Sequence, residues 1–548
     1  MPVSPQQRSG RGAALVAAGI LASRVMGLVR QLIFARYLGL GSEAAAYSAA
    51  IRIPNFLQNL LGEGVLSASF IPVYASLRAK QQDEEADRVA GAIFGLLLLV
   101  TGVLVTLGVL FTGFFVALIA PGFKGEQREL TIALTRILFP GTGLLVMSAW
   151  CLGILNSHRK FFLAYAAPVV WNGGIIAARV GFGGRVDTAA RVRWAAVGMV
   201  AGSFAQFAIQ VPNVLRLLGR FRPSASTKIP GVREVLRNFL PAVLSRGVVQ
   251  ISAWLDSAYA TLISERALAA LTNAQTLSLL PISLFGMAVS AAELPELSAD
   301  AALASADRAA ALRTRISTGL QRIAFFVIPS AAAFVFLGEQ LAGLFQRGLF
   351  TARDSRYVWY LLIAAAVGLL SQTMGRLYAS AFWAMKDVRT PLKVAAFRVA
   401  LGAVLGYLAA RHLPGQLGVP VELGAAFLTA STGLVAFLEY SLLRRLLGRS
   451  IGDVGLPPRR VLTLWGCAIA AGLAGVAVKS ALTARFGPSP LALEEWGGQF
   501  SPPPDLPPLL VAAACLAVFG AVYGGLTVLL KVPQAQAIAA RLLRRRLK

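Results

Sequence analysis

Three arginines recur at six-residue spacing inside the otherwise apolar stretch "ASRVMGLVRQLIFARYLG": Arg24, Arg30 and Arg36. A guanidinium keeps its proton at any physiological pH and presents five donors in a planar fork that matches phosphate and carboxylate. In hydrocarbon such a group is costly unless partnered, so its presence points to a wet cavity and an anionic ligand. On a helix starting near Arg11, Arg24 lies about 18–20 Å along and Arg30 about 27–29 Å along. Six residues rotate a helix by about 240°, so the three side chains face directions about 120° apart. Gly27 is the place where a bend would bring them together. Arg36 is near enough to the helix end to snorkel.

The next segment, "IRIPNFLQNLLGEGVLSASFIPVY", holds Glu63 between Gly62 and Gly64 and is bracketed by Pro54 and Pro72. Glu63 is a candidate either to neutralise Arg24 or Arg30 or to carry a proton during gating. Arg52, near the outer interface, is a further candidate to bind substrate. Later, "SRGVVQISAWLDSAY" carries Arg246, Gln250 and Asp256. Arg246 and Gln250 share a helix face, with Asp256 turned by about 80°. Arg246 is expected to face Arg24 across a cavity, with Gln250 and Asp256 extending a polar face toward it. Glu293 and Glu296, on either side of Pro295, read as solvated charge at a helix end. Arg376 and Arg398 are expected to face the interior.

These residues belong to a chain that is 56% hydrophobic and only 14% charged over 548 residues, with mean hydropathy +0.67. Soluble domains are nearer a quarter charged, so the composition is that of a polytopic membrane protein. The net charge of +27 does not indicate nucleic acid, because the basic residues fall mostly in short loops between apolar runs. Cys151, Cys467 and Cys515 lie inside apolar runs without metal spacing and read as small buried hydrophobes. No phosphate-binding loop or metal-ligand motif is present, so neither ATP hydrolysis nor metal chemistry is expected. The apolar start continues past Arg24 to Gly39, longer than a cleaved signal segment.

About fourteen membrane-spanning helices follow from the apolar runs, giving an all-α polytopic fold. Two sets of six segments succeed each other, followed by two more, which divides the chain into 1–225, 226–450 and 451–548. Duplicated halves of this kind flank the substrate path in many transporters. One set of alternate loops holds roughly 30 Lys and Arg and the other about 13, which places both termini in the cytoplasm. The four arginines of "ARVGFGGRVDTAARVR" break this pattern, because they fall on the outer side.

The order of these stretches resembles the MurJ/MviN family of lipid II flippases. "SRVMGLVRQLIFARYLG" and "RIPNFLQNLLGEGVLSASFIPVY" carry the resemblance, with "GILNSHRKFFLAYAAPVVWN", "LPAVLSRGVVQISAWLDSAYATLI", "LLPISLFGMAVSAAELPELS" and "MKDVRTP". It implies two six-helix lobes around a cationic cavity, with two extra helices forming a groove for a lipid tail. It implies a flippase, not an enzyme, which moves the undecaprenyl-pyrophosphate-linked peptidoglycan precursor across the bacterial inner membrane by alternating access. No cofactor is implied; the drive would be membrane potential, H+ or Na+, and the partners are that precursor and membrane lipids, with the chain a monomer. Arg24, Arg30 and Glu63 fall on family positions, and Asp256 falls on an Asp that contributes to a sodium site in some members. The chain departs from the pattern at Gln31, Ala45, Gln58, Asn59, Thr276 and Gly402, where the family carries acidic residues, arginines or an Asn. Those departures leave two alternatives: an exporter of another polyprenyl-linked glycan or a small molecule, or a non-transporting membrane scaffold.

Overall fold

A computed structural model describes residues 5–158, 160–182, 187–301, 303, 305–346, 348–486 and 508–546. Among them there is helix and no strand, as a chain must be when lipid offers its backbone no hydrogen bonds. Among the described residues, twelve spans are long and apolar enough to cross a membrane. Two more helices, Pro5–Leu38 and Pro230–Ile263, have 34 residues each. They are the first members of the two six-segment sets, and they carry Arg24, Arg30, Arg246 and Asp256.

The chain forms two compact units, Met1–Ala269 and Ala270–Lys548. The first unit comprises α1 (Pro5–Leu38), α2 (Ser42–Leu61), α3 (Glu63–Ala79), α4 (Asp83–Leu110) and the short α5 (Thr112–Ile119). It continues with α6 (Gly125–Ser157), α7 (Phe161–Phe182), α8 (Thr188–Leu217), α9 (Pro230–Ile263) and the start of α10 (Ala267–Pro281). α1 stops at Gly39, whose φ of 57° admits a left-handed residue, with its N–H bonded to Ala35 O at 2.9 Å. The segment read as one span from 44 to 75 is broken at Gly62. There ψ is −148°, and a Cβ would lie 2.3 Å from Gln58 O, so a side chain could not be accommodated. Phe70, Tyr74, Trp150 and Ile154 lie in its core. After α6, the His158 ring shares a 2.9 Å hydrogen bond with the Tyr74 hydroxyl.

The second unit continues from α10 through a π-helical turn, Ile282–Met287, into α11 (Ala288–Ala301). Then come α12 (Ser305–Gly343), α13 (Ala352–Ala384), α14 (Arg389–Arg411), the short α15 (Leu413–Leu417) and α16 (Gly424–Ile451). α17 (Pro458–Phe486), α18 (Pro508–Leu529) and α19 (Pro533–Arg546) complete it. α12, α17 and α18 share a core that includes Phe325, Ala332, Ala468, Cys515 and Tyr523. α13 and α16 touch backbone to backbone, since a Cβ on Gly368 would lie 2.3 Å from Gly433 Cα. In lipid, where burial of apolar surface gives helices no mutual attraction, such close approach is what holds a bundle together. All three cysteines are free and buried.

Candidate functional site: arginines held on aromatic rings

Within the first unit, α7 and α8 approach through glycines. A Cβ on Gly174 would be 2.7 Å from Gly202 Cα, and one on Gly202 would be 2.6 Å from Trp171 O. This contact fixes the backbone of α7 against α8; α7 also packs on α1, where the Trp171 ring lies under Arg30, whose guanidinium carbon is 5.1 Å from the ring centroid. Arg30 has no carboxylate partner among the described residues, and its Nη1 is buried without a hydrogen-bond acceptor. An aromatic face supports a guanidinium without neutralising it. Arg30 is thus oriented and keeps its charge.

A reciprocal contact lies nearby. Arg179 of α7 is 1% exposed and lies 4.7 Å from the Phe34 ring of α1 and 5.8 Å from Tyr37. Its Nη1 donates to Arg191 O at 3.1 Å, while Nε and Nη2 have no acceptor. So α1 gives an arginine to an α7 ring, and α7 gives one to α1 rings. Tyr47 of α2 interacts electrostatically with both Arg30 and Arg179, and its ring is 4.7 Å from Phe34. The sequence reading missed Trp171, Arg179 and Tyr47 as partners of Arg30. In the sequence Arg179 was visible only as one of the four arginines that break the basic-loop pattern, and it is buried on rings.

The remaining candidates are placed as follows. Arg24 is exposed on α1, with no ion pair among the described residues. Arg36 is also exposed, 5.8 Å from the Tyr37 ring. Arg52 reaches α9, where Nη1 donates to Ala253 O at 3.2 Å and Asp256 lies within electrostatic range. Asn59 donates to Gln250 on the same helix at 3.3 Å. α2 and α9 are therefore joined by Arg52 and Asn59, with Asp256 in the electrostatic range of Arg52, a proximity that sequence spacing did not reveal. The side chains of Glu63 and Arg246 lie outside the described residues.

Glu293 corrects an expectation. It is 8% exposed rather than solvated, because α12 brings Arg322 to 2.9 Å and Arg315 to 3.7 Å from its carboxylate. Arg315 also holds Glu296 at 3.3 Å and Asp300. Glu296, with its side chain 61% exposed, does remain at the surface.

The family model for "Lipid II flippase MurJ" matches residues 34–492. A lipid II flippase MurJ of Burkholderia cenocepacia is 29% identical over 92% of this chain and 94% of its own length. A probable lipid II flippase MurJ of Rhizobium meliloti is 30% identical over 72% of this chain and 74% of its own. Among solved structures, a lipid II flippase MurJ in an inward closed conformation superposes with a TM-score of 0.71 at 22% identity. It covers 93% of this chain and 98% of that one, a likeness of fold.

Proposed function

The chain belongs to the lipid II flippase MurJ family, and from that premise we propose that it carries the undecaprenyl-pyrophosphate-linked peptidoglycan precursor across the bacterial inner membrane by alternating access. The observation that carries the reading is Arg30: a guanidinium fixed on Trp171, without a carboxylate, and with Nη1 buried and unbonded. Such a cation is oriented for a pyrophosphate oxygen, and Arg fits phosphate bidentately. Arg24, exposed on the same helix, supplies further charge, and Arg246 and Arg52 complete the substrate set. Arg52 also ties α2 to α9, so a phosphate that draws its guanidinium away from Ala253 O would loosen that link. Differential contact of this kind is what lets a ligand shift a conformational equilibrium. Glu63, at the break that separates α2 from α3, is the gating carboxylate.

The drive is membrane potential acting on the charged path. Asp256, the candidate for cation coupling, has the fixed charge of Arg52 as a competitor for any cation. Both termini face the cytoplasm, as the basic-loop asymmetry requires, and the chain works as a monomer. The second reading, transport of another polyprenyl-linked glycan, draws on three side chains. Asn59 is bonded to Gln250, Thr276 bonds Thr272 O at 2.9 Å, and Gln58 is uncharged. None supplies the charge expected there. Rescue of a strain depleted of its own flippase decides between them. Growth with normal shape supports lipid II, and a correctly inserted chain that fails to rescue supports the second reading.

A further inference from the structure

A second cluster of intramembrane charge lies wholly in the second unit. Arg398 of α14 reaches Glu439 of α16 at 3.4 Å, with side chains 22% and 20% exposed. Arg398 Nε is buried without an acceptor. Arg376 of α13 lies within electrostatic range of both, so it is repelled by Arg398 and attracted by Glu439. Its guanidinium has no hydrogen bond or ion pair among the described residues. It is exposed, although Thr373, Met374, Gly375, Leu377 and Tyr378 around it are buried. Two cations and one carboxylate leave a net positive charge at membrane depth. A guanidinium open to lipid would be too costly to keep there, so its exposed face meets water or a ligand.

The three residues share a level. Arg376 is about 12 Å before the end of α13, Arg398 about 14 Å after the start of α14, and Glu439 about 18 Å before the end of α16. All three of those helix ends lie on the side of the basic loops. The Gly368–Gly433 contact locks α13 against α16, so the arrangement is built into the bundle.

We propose that Arg376 and Arg398 form a second anion-binding site, for the diphosphate headgroup of a polyprenyl lipid entering from the basic-loop side, with Glu439 as the occupant that the diphosphate displaces. This rests on the flippase reading and extends it. Without ligand, Glu439 holds Arg398 and limits the cost of two neighbouring cations. An arriving diphosphate offers more acceptor oxygens and more charge, and takes Arg398 bidentately while Arg376 closes on its other phosphate.

The test is binding of farnesyl diphosphate to the purified full-length protein, with phosphatidylglycerol as the competing anionic lipid. A charge-assisted hydrogen bond contributes roughly 1.5–3 kcal/mol, so Arg376→Ala and Arg398→Ala should each weaken binding about tenfold or more. Glu439→Gln, which removes the competitor, should tighten it several-fold. Should Glu439→Gln fail to fold, the neutral pair Arg398→Gln with Glu439→Gln keeps the contact, and it should bind at least about tenfold more weakly than the native chain. No binding by the native protein, unchanged affinity in the arginine variants, or weaker binding by Glu439→Gln each overturns the site. Equal displacement by phosphatidylglycerol overturns its assignment to a diphosphate. If the native chain rescues a flippase-depleted strain while these affinities stay flat, this site fails and the flippase reading stands. If rescue fails while the affinities move as expected, the site stands and that reading fails.

Discussion

The cations that α1 and α7 carry in the first unit and those of the second unit are held by different contacts. In the first, Arg30 and Arg179 rest on Trp171, Phe34 and Tyr37, and both leave guanidinium nitrogens without acceptors. In the second, Glu293 is shared by Arg315 and Arg322, Arg398 meets Glu439, and Lys479 of α17 bonds Glu339 of α12. Ring contacts orient a cation and leave its charge in place; carboxylates cancel it. Helices that leave cations uncancelled, as α1 and α7 do, give up stability for the ability to attract an anion. A unit that pairs them gains rigidity, and it can bind an anion only where a partner is displaced. The Arg376–Arg398–Glu439 cluster is the place where the second unit keeps an excess.

The largest effect expected from this contrast is on Arg30. Arg30→Ala should reach the membrane at near-normal level and abolish rescue, as read by growth together with an immunoblot of the membrane fraction. Loss of the protein from the membrane would instead make Arg30 a packing residue and break the contrast. Next is Glu293→Ala, which strips the carboxylate from a paired network. Breaking a fully buried pair costs about 3–5 kcal/mol. Arg315 keeps Asp300 and Glu296, and Arg322 is half-exposed, so about 2 kcal/mol is expected here, read as a lower Tm in detergent. An unchanged Tm would mean that the network is incidental.

Arg179→Met should move stability the other way. It replaces a buried guanidinium with two unbonded nitrogens by an apolar chain that can still pack on Phe34, so a gain of about 1 kcal/mol is expected. Activity should fall as α1 loses the contact that steadies Arg30. A lower Tm would show that the ring contacts outweigh the desolvation of the charge. The smallest effect concerns His158. Burial, and then the nearby Arg78, push its imidazole below the ordinary value. Between that lowered value and about 6.5, the unfolded chain binds more protons than the native one. Stability therefore falls as pH drops from 7.5 towards 5.5, by less than about 1.4 kcal/mol per pH unit. His158→Gln should flatten the Tm–pH curve in that window, and an unchanged slope would assign it to other groups.

Much of the fold could be read from the chain because its causes are local. Twelve of the fourteen expected segments return as spans with the required length and apolar character, and the other two return as the long helices α1 and α9. The family could be read from "SRVMGLVR" and "LLGEG". The site was legible only in part. Arg30 stood out as an arginine in an apolar run, yet Trp171 and Arg179 lie far along the chain, and nothing in their local sequence marks them as its neighbours. Glu293 misled because a carboxylate in a charged stretch near a helix end is usually solvated, whereas α12 covers this one.

What the sequence determined by itself is what depends on transfer free energy and helical period: which stretches enter the membrane, which ones carry uncancelled charge, and which loops are basic. What only the tertiary structure decided is which charges meet. Arg398 found Glu439, Arg52 found the Ala253 carbonyl near Asp256, and Arg30 found a ring instead of a carboxylate. The physical reason is that helix–helix approach in lipid is set by small residues such as Gly174, Gly202, Gly368 and Gly433. Those contacts fix the rotation of each helix about its axis, and a rotation of a few tens of degrees separates a buried pair from a free cation.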